Sequence, residues 1–326
     1  MFRNALHIPS QLLAALAVLF PHALANAADF PTRPIRVIVP FVAGGGTDLL
    51  ARFVSPRLGE LLGQQIVVDN RGGAGSVLGT QVLAKSAPDG YTLGVMDTAF
   101  AINPSIVDKL PYDNERDFVF IAIIATSPSL LVTHPGLKVR SIHELVALAK
   151  SQPGKIKFAS AGVGSSSHLT GQMLMTAAKI ELLHVPYKGA GAAIMDLLGG
   201  HADLTSVVPG SVMQQIQAGT LIPLAITGKA PHYTLPSVPT FANVGLGAVN
   251  PGQFRFLAAP AGLPVAIQKK LAAAMHTVLE PQEFRTRLSD NGFDVELLVD
   301  ADARAYIVRE IRKWRQAVKD AGAKSP

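Results

Sequence analysis

Residues 37–53, VIVPFVAGGGTDLLARF, run from a β-branched apolar segment through three glycines into a helical pattern. Leu49, Leu50 and Phe53 recur at the spacing of one helix face. At a helix start the first backbone N–H groups have no partner within the helix, and the helix dipole favours negative charge. The stretch therefore predicts a strand, a glycine turn and a helix, with a place for an anion at the turn.

The spacing of these glycines limits which anion the turn can hold. Gly44, Gly45 and Gly46 lack the G-x-x-x-x-G-K-[ST] spacing of a phosphate loop, and Leu49 stands where a dinucleotide fingerprint needs its third glycine. The chain has no cysteine, which excludes disulfides and thiol catalysis, and its nine histidines show no metal-ligand spacing. We therefore expect no nucleotide, metal or other cofactor at this turn.

A second turn of the same build lies in residues 155–174, KIKFASAGVGSSSHLTGQML. Gly162 and Gly164 lead into a helix that we expect to begin at the first or second of the serines at residues 165–167. These serines can cap the helix or donate to a ligand oxygen. A rival hypothesis is a secreted hydrolase with one of them as nucleophile and His168 as base. The missing G-x-S-x-G motif and the closeness of His168 in sequence argue against it.

The rest of the chain continues the alternation of strands and helices. Pro56 interrupts the first helical pattern, so we expect a kink there or a shifted helix boundary. Ser141 and Glu144 form the pattern of a capping box at another helix start. Residues 118–134 are expected to form one long strand that crosses between lobes, and the chain after Pro264 is expected to be helical. The other strands are predicted at residues 35–41, 64–70, 91–97, 155–160, 182–187, 203–208, 221–227 and 254–262.

This pattern predicts an α/β fold of two lobes, each a mixed sheet flanked by helices, with a ligand cleft between them. The first lobe is assigned to residues 28–124 and 253–326, and the second to residues 125–252. Residues 1–27 read as a signal peptide, because an apolar run too short to cross a membrane is followed by the cleavage pattern Ala25-Asn26-Ala27.

Charge also bears on the type of partner. The formal net charge of +6 favours small anions through its long-range field. Lysines and arginines are not interleaved with aromatic residues in any run, so we expect no nucleic acid partner.

In their order along the chain, these segments resemble the Bug-type extracytoplasmic solute receptors of tripartite tricarboxylate transporters. The resemblance runs from PTRPIRVIVPFVAGGGTDLLAR through VVDNRGGAGSVLGT, APDGYTL, PGKIKFASAGVGSSSHL and HVPYKG to LAAPAGLP. It implies a type II periplasmic binding-protein fold that closes on a small organic carboxylate without catalysis. It also implies a monomer that delivers the ligand to membrane permease subunits. A receptor that instead feeds a signalling sensor remains an alternative.

The resemblance further implies which residues surround the ligand. In relatives the carboxylate is held by backbone N–H groups, hydroxyls and bridging waters of two facing turns. Carried onto this sequence, the first turn supplies Phe41, Gly45, Gly46, Thr47 and Asp48, the second supplies Ser160, Ala161, Gly162, Ser165 and Ser166, Asp203 supports ordered water or the loop, and Thr98 and Val208 line the cleft.

The roles of Asp48 and Arg255 are left open. Asp48 either complements the helix dipole or meets the ligand through water. Val207 and Val208 favour a ligand with an apolar body. Arg255 departs from the family pattern, and it either meets a second carboxylate or is a solvated residue beside the hinge, of which we favour the second.

Overall fold

The computed structural model describes residues 30–320, so the predicted signal peptide lies outside the described part of the chain. Two separate sheets organise these residues. The helices are α1 (Gly46–Leu62), α2 (Val77–Ala84), α3 (Ala99–Ile106), α4 (Ile142–Ser151), α5 (Ser166–Ala178), α6 (Ala190–Leu198), α7 (Met213–Gln217), α8 (Val265–Leu279), α9 (Gln282–Asp290) and α10 (Asp300–Asp320). Within residues 30–320, none of them combines the length and the apolar character needed to cross a membrane.

The first lobe is built on a six-stranded mixed sheet. Its strands are β1 (Ile35–Val39), β2 (Ile66–Asn70), β3 (Thr92–Asp97), β4 (Phe118–Ser127), β10 (Gln253–Pro260) and β11 (Asp294–Val299), in the spatial order β11-β4-β10-β3-β1-β2. On one face, Leu50 of α1 and Leu271 of α8 share a core with the sheet. On the other face, Phe100 of α3 and Trp314 of α10 belong to a second buried cluster.

The second lobe is built on a five-stranded mixed sheet. Its strands are β5 (Leu130–Thr133), β6 (Lys157–Ser160), β7 (Leu183–Pro186), β8 (Leu204–Val207) and β9 (Ile222–Ile226), in the order β7-β6-β8-β5-β9. β6 is parallel to β8, as β1 is parallel to β3 in the first lobe. Because parallel neighbours end at the same edge of a sheet, the turns after these strands are the expected place for a ligand.

The predicted two-lobed α/β fold is confirmed, but two local predictions are wrong. Residues 118–134 form two strands in different sheets, because Pro128 cannot donate a ladder hydrogen bond. The chain after Pro264 contains β11, which pairs with β4. At Pro56 the sequence predicts a kink or a shifted helix boundary; helix α1 continues through Pro56, so the boundary is not shifted, and the kink stays a prediction. Pro56 is exposed, so water can reach the carbonyl that the proline leaves unpaired.

The sheets also bear on the predicted division into lobes. The first sheet takes its strands from residues 35–127 and 253–299, and the second from residues 130–226. The predicted boundary at residue 125 falls inside β4. The exact division of the chain into lobes stays a prediction.

Candidate functional site

A cleft lies between the two lobes, where the turn after β1 faces the turn after β6. Helices α1 and α5 begin at these turns, so the N-termini of two helices open on one space. Most of the predicted ligand-binding residues line it, namely Phe41, Gly45, Gly46, Thr47, Asp48, Ala161, Ser165, Ser166 and Val208.

The first turn leaves backbone donors available at the start of α1. Gly45 is the N-cap residue, and no side chain caps the helix there. The Thr47 hydroxyl donates to Asp97 Oδ2 at 3.0 Å. The unpaired N–H groups and the positive end of the helix dipole together favour an anionic group at this position.

Asp48 is held by donors of the protein itself. Its carboxylate accepts hydrogen bonds from the Gly44 N–H, Arg52 Nε and Asn70 Nδ2, each at 3.0 Å. The residue is 4 % exposed, although it lines the cleft. These contacts support the structural alternative, in which Asp48 shapes the turn and complements the helix dipole.

The second turn uses two of its serines for local structure and leaves one hydroxyl open. Ser165 is the N-cap of α5, where its Oγ accepts from the His168 N–H at 3.2 Å and donates to the Gly162 carbonyl at 2.6 Å. Ser167 Oγ accepts from the Ala161 N–H at 2.9 Å. The Ser166 hydroxyl has no partner among the described residues. It is therefore available to a ligand.

The arrangement around His168 does not suit a hydrolase. Its Nδ1 accepts from the Gly164 N–H at 3.4 Å, and its ring stacks on that of His184 with centroids 4.5 Å apart. Within residues 30–320, the ring makes no hydrogen bond to a serine of residues 165–167. Burial and, to a lesser extent, His184 lower the pKa of His168 to about 4, which makes the ring a weak base.

Four predicted residues lie outside the cleft lining. Thr98 Oγ1 accepts from the Phe254 N–H at 2.9 Å and joins the end of β3 to β10. Ser160 Oγ pairs with His184 Nε2 at 2.7 Å. Gly162 has a φ of +119°, and a Cβ there would lie 2.9 Å from the Tyr187 carbonyl oxygen.

The assignment of Asp203 to the ligand site is not supported by its position. Asp203 immediately precedes β8, and its Oδ2 accepts from the Lys157 N–H at 2.7 Å. The cleft is lined by Ser206, Val207 and Val208, at the opposite end of the same strand. Asp203 therefore joins two neighbouring strands of the second sheet at the edge away from the cleft.

The preferred position of Arg255 beside the hinge in solvent is wrong, because the residue is 1 % exposed and lines the cleft. Its Nη1 donates to Ser127 Oγ and its Nη2 to Gln253 Oε1, both at 2.9 Å. In the antiparallel pair β3–β10, Arg255 stands opposite Asp97. Burial lowers the pKa of Arg255 to about 10, against the opposing effect of Asp97.

Asp97 and Ser206 also line the cleft and were not predicted. Burial raises the pKa of Asp97, although Arg255, the Ala99 N–H and the Thr47 hydroxyl each act to lower it. The sequence does show that Asp97 and Arg255 are charged residues in otherwise apolar strands. The sequence alone does not show that these two residues stand opposite each other, because their position depends on the register between β3 and β10.

The two lobes also touch at the edge of the cleft. Residues 42–45 of the first lobe meet residues 188–191 of the second, and we call this contact the clasp. The Val42 N–H donates to the Lys188 carbonyl at 3.3 Å. Gly191 lies so close to the first lobe that a Cβ on it would be 1.9 Å from the Ala43 carbonyl oxygen. The structure therefore has the closed arrangement of the lobes.

Comparison with known proteins gives a consistent assignment. The model of the family described as "Tripartite tricarboxylate transporter family receptor" matches residues 50–323. Protein BugT of Bordetella pertussis is 36 % identical over 305 residues, covering 92 % of this chain and 92 % of BugT. A Rhodopseudomonas palustris protein solved with adipate is 30 % identical with a TM-score of 0.87, covering 91 % of this chain and 100 % of that one. MatC from the same species, solved with bound malate, is 30 % identical with a TM-score of 0.82, covering 89 % and 100 %.

Proposed function

We propose that this chain, which belongs to the tripartite tricarboxylate transporter receptor family, captures a small organic carboxylate and delivers it to the membrane permease of such a transporter. Structural neighbours of this chain were solved with carboxylates, adipate in one case and malate in the other. The proposal adds three finer points. Residues 1–27 are a signal peptide that directs the protein to the periplasm, the receptor acts as a monomer, and it performs no catalysis.

The observation that carries the proposal is the meeting of two helix N-termini at one cleft. The start of α1 has no side-chain cap, and the start of α5 presents the unpaired Ser166 hydroxyl. A carboxylate has two oxygens that accept several hydrogen bonds, so one group can take donors from both turns at once. Positive helix ends on both sides add to the attraction.

Closure of the lobes follows from the same geometry. The ligand meets donors of both lobes only when the lobes are closed, so it binds the closed form more tightly than the open form. That difference in affinity shifts the equilibrium toward closure. The closed form presents a surface that combines both lobes, and the permease can recognise this surface as the loaded state.

Isothermal titration calorimetry on protein stripped of bound ligand by unfolding and refolding tests the proposal. We expect binding of one or more mono-, di- or tricarboxylates, and no binding of sugars or amines of similar size. Binding of sugars or amines in place of carboxylates would refute the assignment.

A pair of variants locates the binding site. Ser166→Leu places an apolar side chain in the cleft and should abolish carboxylate binding. The matched control is Ser151→Leu, which changes an exposed serine in the last turn of α4 and should leave binding unchanged. Loss of carboxylate uptake after deletion of the gene tests the link to a transporter, which a receptor for a sensor would not show.

A further inference from the structure

Arg255 places a buried cation beside the positive end of a helix. A Cβ built on Gly46, the first residue of α1, would lie 2.9 Å from Arg255 Nη2. The guanidinium group therefore packs against the start of that helix. A cation is unfavourable at a helix N-terminus, because both carry positive charge. An anion bound beside Arg255 would offset this repulsion.

The hydrogen bonds of Arg255 leave donors unused. A guanidinium group has five N–H donors, and Ser127 and Gln253 accept from two of them. Arg255 Nε is buried and has no partner among the described residues. Leaving a buried charged donor unpaired is costly, and native proteins satisfy most such groups.

A second unpartnered atom faces the same cleft from the other lobe. Ser206 is 2 % exposed, and its Oγ has no partner within residues 30–320. It stands on β8 of the second lobe, whereas Arg255 stands on β10 of the first. Both residues line the cleft next to Val207 and Val208. Each lobe therefore has an unpartnered polar atom on a residue that lines this cleft.

Asp97 does not account for the unused donors. It stands opposite Arg255, but among the described residues the two side chains form no ion pair within 4.0 Å. Its oxygens instead accept from the Thr47 hydroxyl and the Ala99 N–H, both at 3.0 Å. Asp97 thus moderates the local charge and leaves Arg255 Nε without a partner.

From this geometry we infer that Arg255 is the specificity-determining residue of the receptor and binds the second carboxylate of a dicarboxylate ligand. The first carboxylate takes the helix starts of α1 and α5, and Val207 and Val208 contact the carbon chain between the two groups. The inference rests on the proposed function, since it names the class of carboxylate that the same cleft selects. Ser127, the last residue of β4, and Gln253, the first residue of β10, hold the guanidinium group in place.

Calorimetry with matched ligand pairs tests the inference on the wild-type protein. The probes are succinate and butanoate, glutarate and pentanoate, and adipate and hexanoate, so that each pair differs by one carboxylate at constant chain length. We expect the best-bound dicarboxylate to bind about 10- to 100-fold more tightly than its monocarboxylate, the range expected for a charge-assisted hydrogen bond.

Two variants assign this ratio to Arg255. Arg255→Gln keeps a polar side chain without the charge, and the ratio should fall to about 1. Arg255→Lys restores the charge without the planar fork and should recover part of the ratio. The matched control is Arg116→Gln, which removes an 87 % exposed arginine and should leave the ratio unchanged. Circular dichroism establishes that each variant is folded.

The outcomes separate this inference from the proposed function. If the wild type binds both members of every pair equally well, the carboxylate receptor stands and the role of Arg255 is refuted. An unchanged ratio in folded Arg255→Gln refutes it as well. If Arg255→Gln does not fold, the wild-type ratio and Arg255→Lys decide the question. Binding of no carboxylate by the wild type would overturn the proposed function together with the inference.

Discussion

Replacing Gly191 with alanine tests whether closure of the clasp contributes to ligand affinity. Gly191 begins the second lobe's α6 together with Ala190, and a Cβ on it would lie 1.9 Å from the Ala43 carbonyl oxygen of the first lobe. Real Cβ atoms do not approach a backbone oxygen so closely. The alanine variant can therefore close only if the two backbones at the clasp move apart by more than about 1 Å. Overpacked sites force backbone shifts of this kind.

The cost of this movement can be set against affinity. Overpacking of a well-packed contact costs about 1–3 kcal/mol, which corresponds to about 5- to 150-fold weaker binding. The open form has no such contact. In that form the change from glycine to alanine near a helix start should be neutral or should stabilise α6 by up to about 1 kcal/mol. Affinity and stability should thus change in different directions.

Calorimetry with a bound carboxylate and thermal unfolding of the ligand-free protein measure the two effects. Gly247→Ala is the matched control, because a Cβ there would have its nearest neighbours at 3.7 Å, an ordinary contact. Equal affinity of Gly191→Ala and wild type would refute the reasoning. A lower melting temperature of the ligand-free variant would refute the premise that the free receptor is open.

Two further predictions concern the turn of the second lobe. Ser165→Ala and Ser141→Ala each remove a helix N-cap, so each should lower the free energy of unfolding in urea by about 1 kcal/mol. Only Ser165→Ala should also weaken carboxylate binding, because Ser165 lines the cleft and Ser141 does not. Burial, and to a lesser extent His184, lower the pKa of His168 to about 4, so the stability from its neutral form is present above pH 6.5 and is lost as the pH falls through 4. His168→Asn should remove this part of the pH dependence, on the order of 3 kcal/mol in unfolding free energy, and an unchanged slope between pH 6.5 and 4 would contradict the assignment.

Local sequence patterns predict most of the fold. The strands β1, β2 and β3 and the start of α5 lie where residue periodicity and the glycine turns placed them. The missed strand β11 has alternating polar and apolar residues, in DVELLV, but it is short and stands between two strong helical patterns. Its pairing with β4 is a long-range contact, which local periodicity does not report.

The candidate site was predictable where one turn contains the whole feature. The glycines and serines of the two turns indicate a place for an anion without any long-range contact, and Gly45 and Ser166 do line the cleft. Arg255 and Asp97 were a different case, since they lie 158 positions apart and meet only through the register of β3 and β10. A charged residue in an apolar strand signals a special position, but the sequence does not say whether it faces solvent or a cleft.

The clasp and Arg255 should affect binding in separable ways. Under our inference no clasp residue binds the second carboxylate, so Gly191→Ala should add the same closure cost for every ligand that requires the closed form. Monocarboxylates and dicarboxylates should then weaken by the same factor, and their ratio should stay constant. Arg255 contacts only the second carboxylate under our inference, so its substitution changes the ratio and leaves the closure cost unaltered. Because the two sites share no partner, the free-energy changes of Gly191→Ala and Arg255→Gln should add in the double variant, and a large departure from additivity would show that Arg255 acts on closure itself.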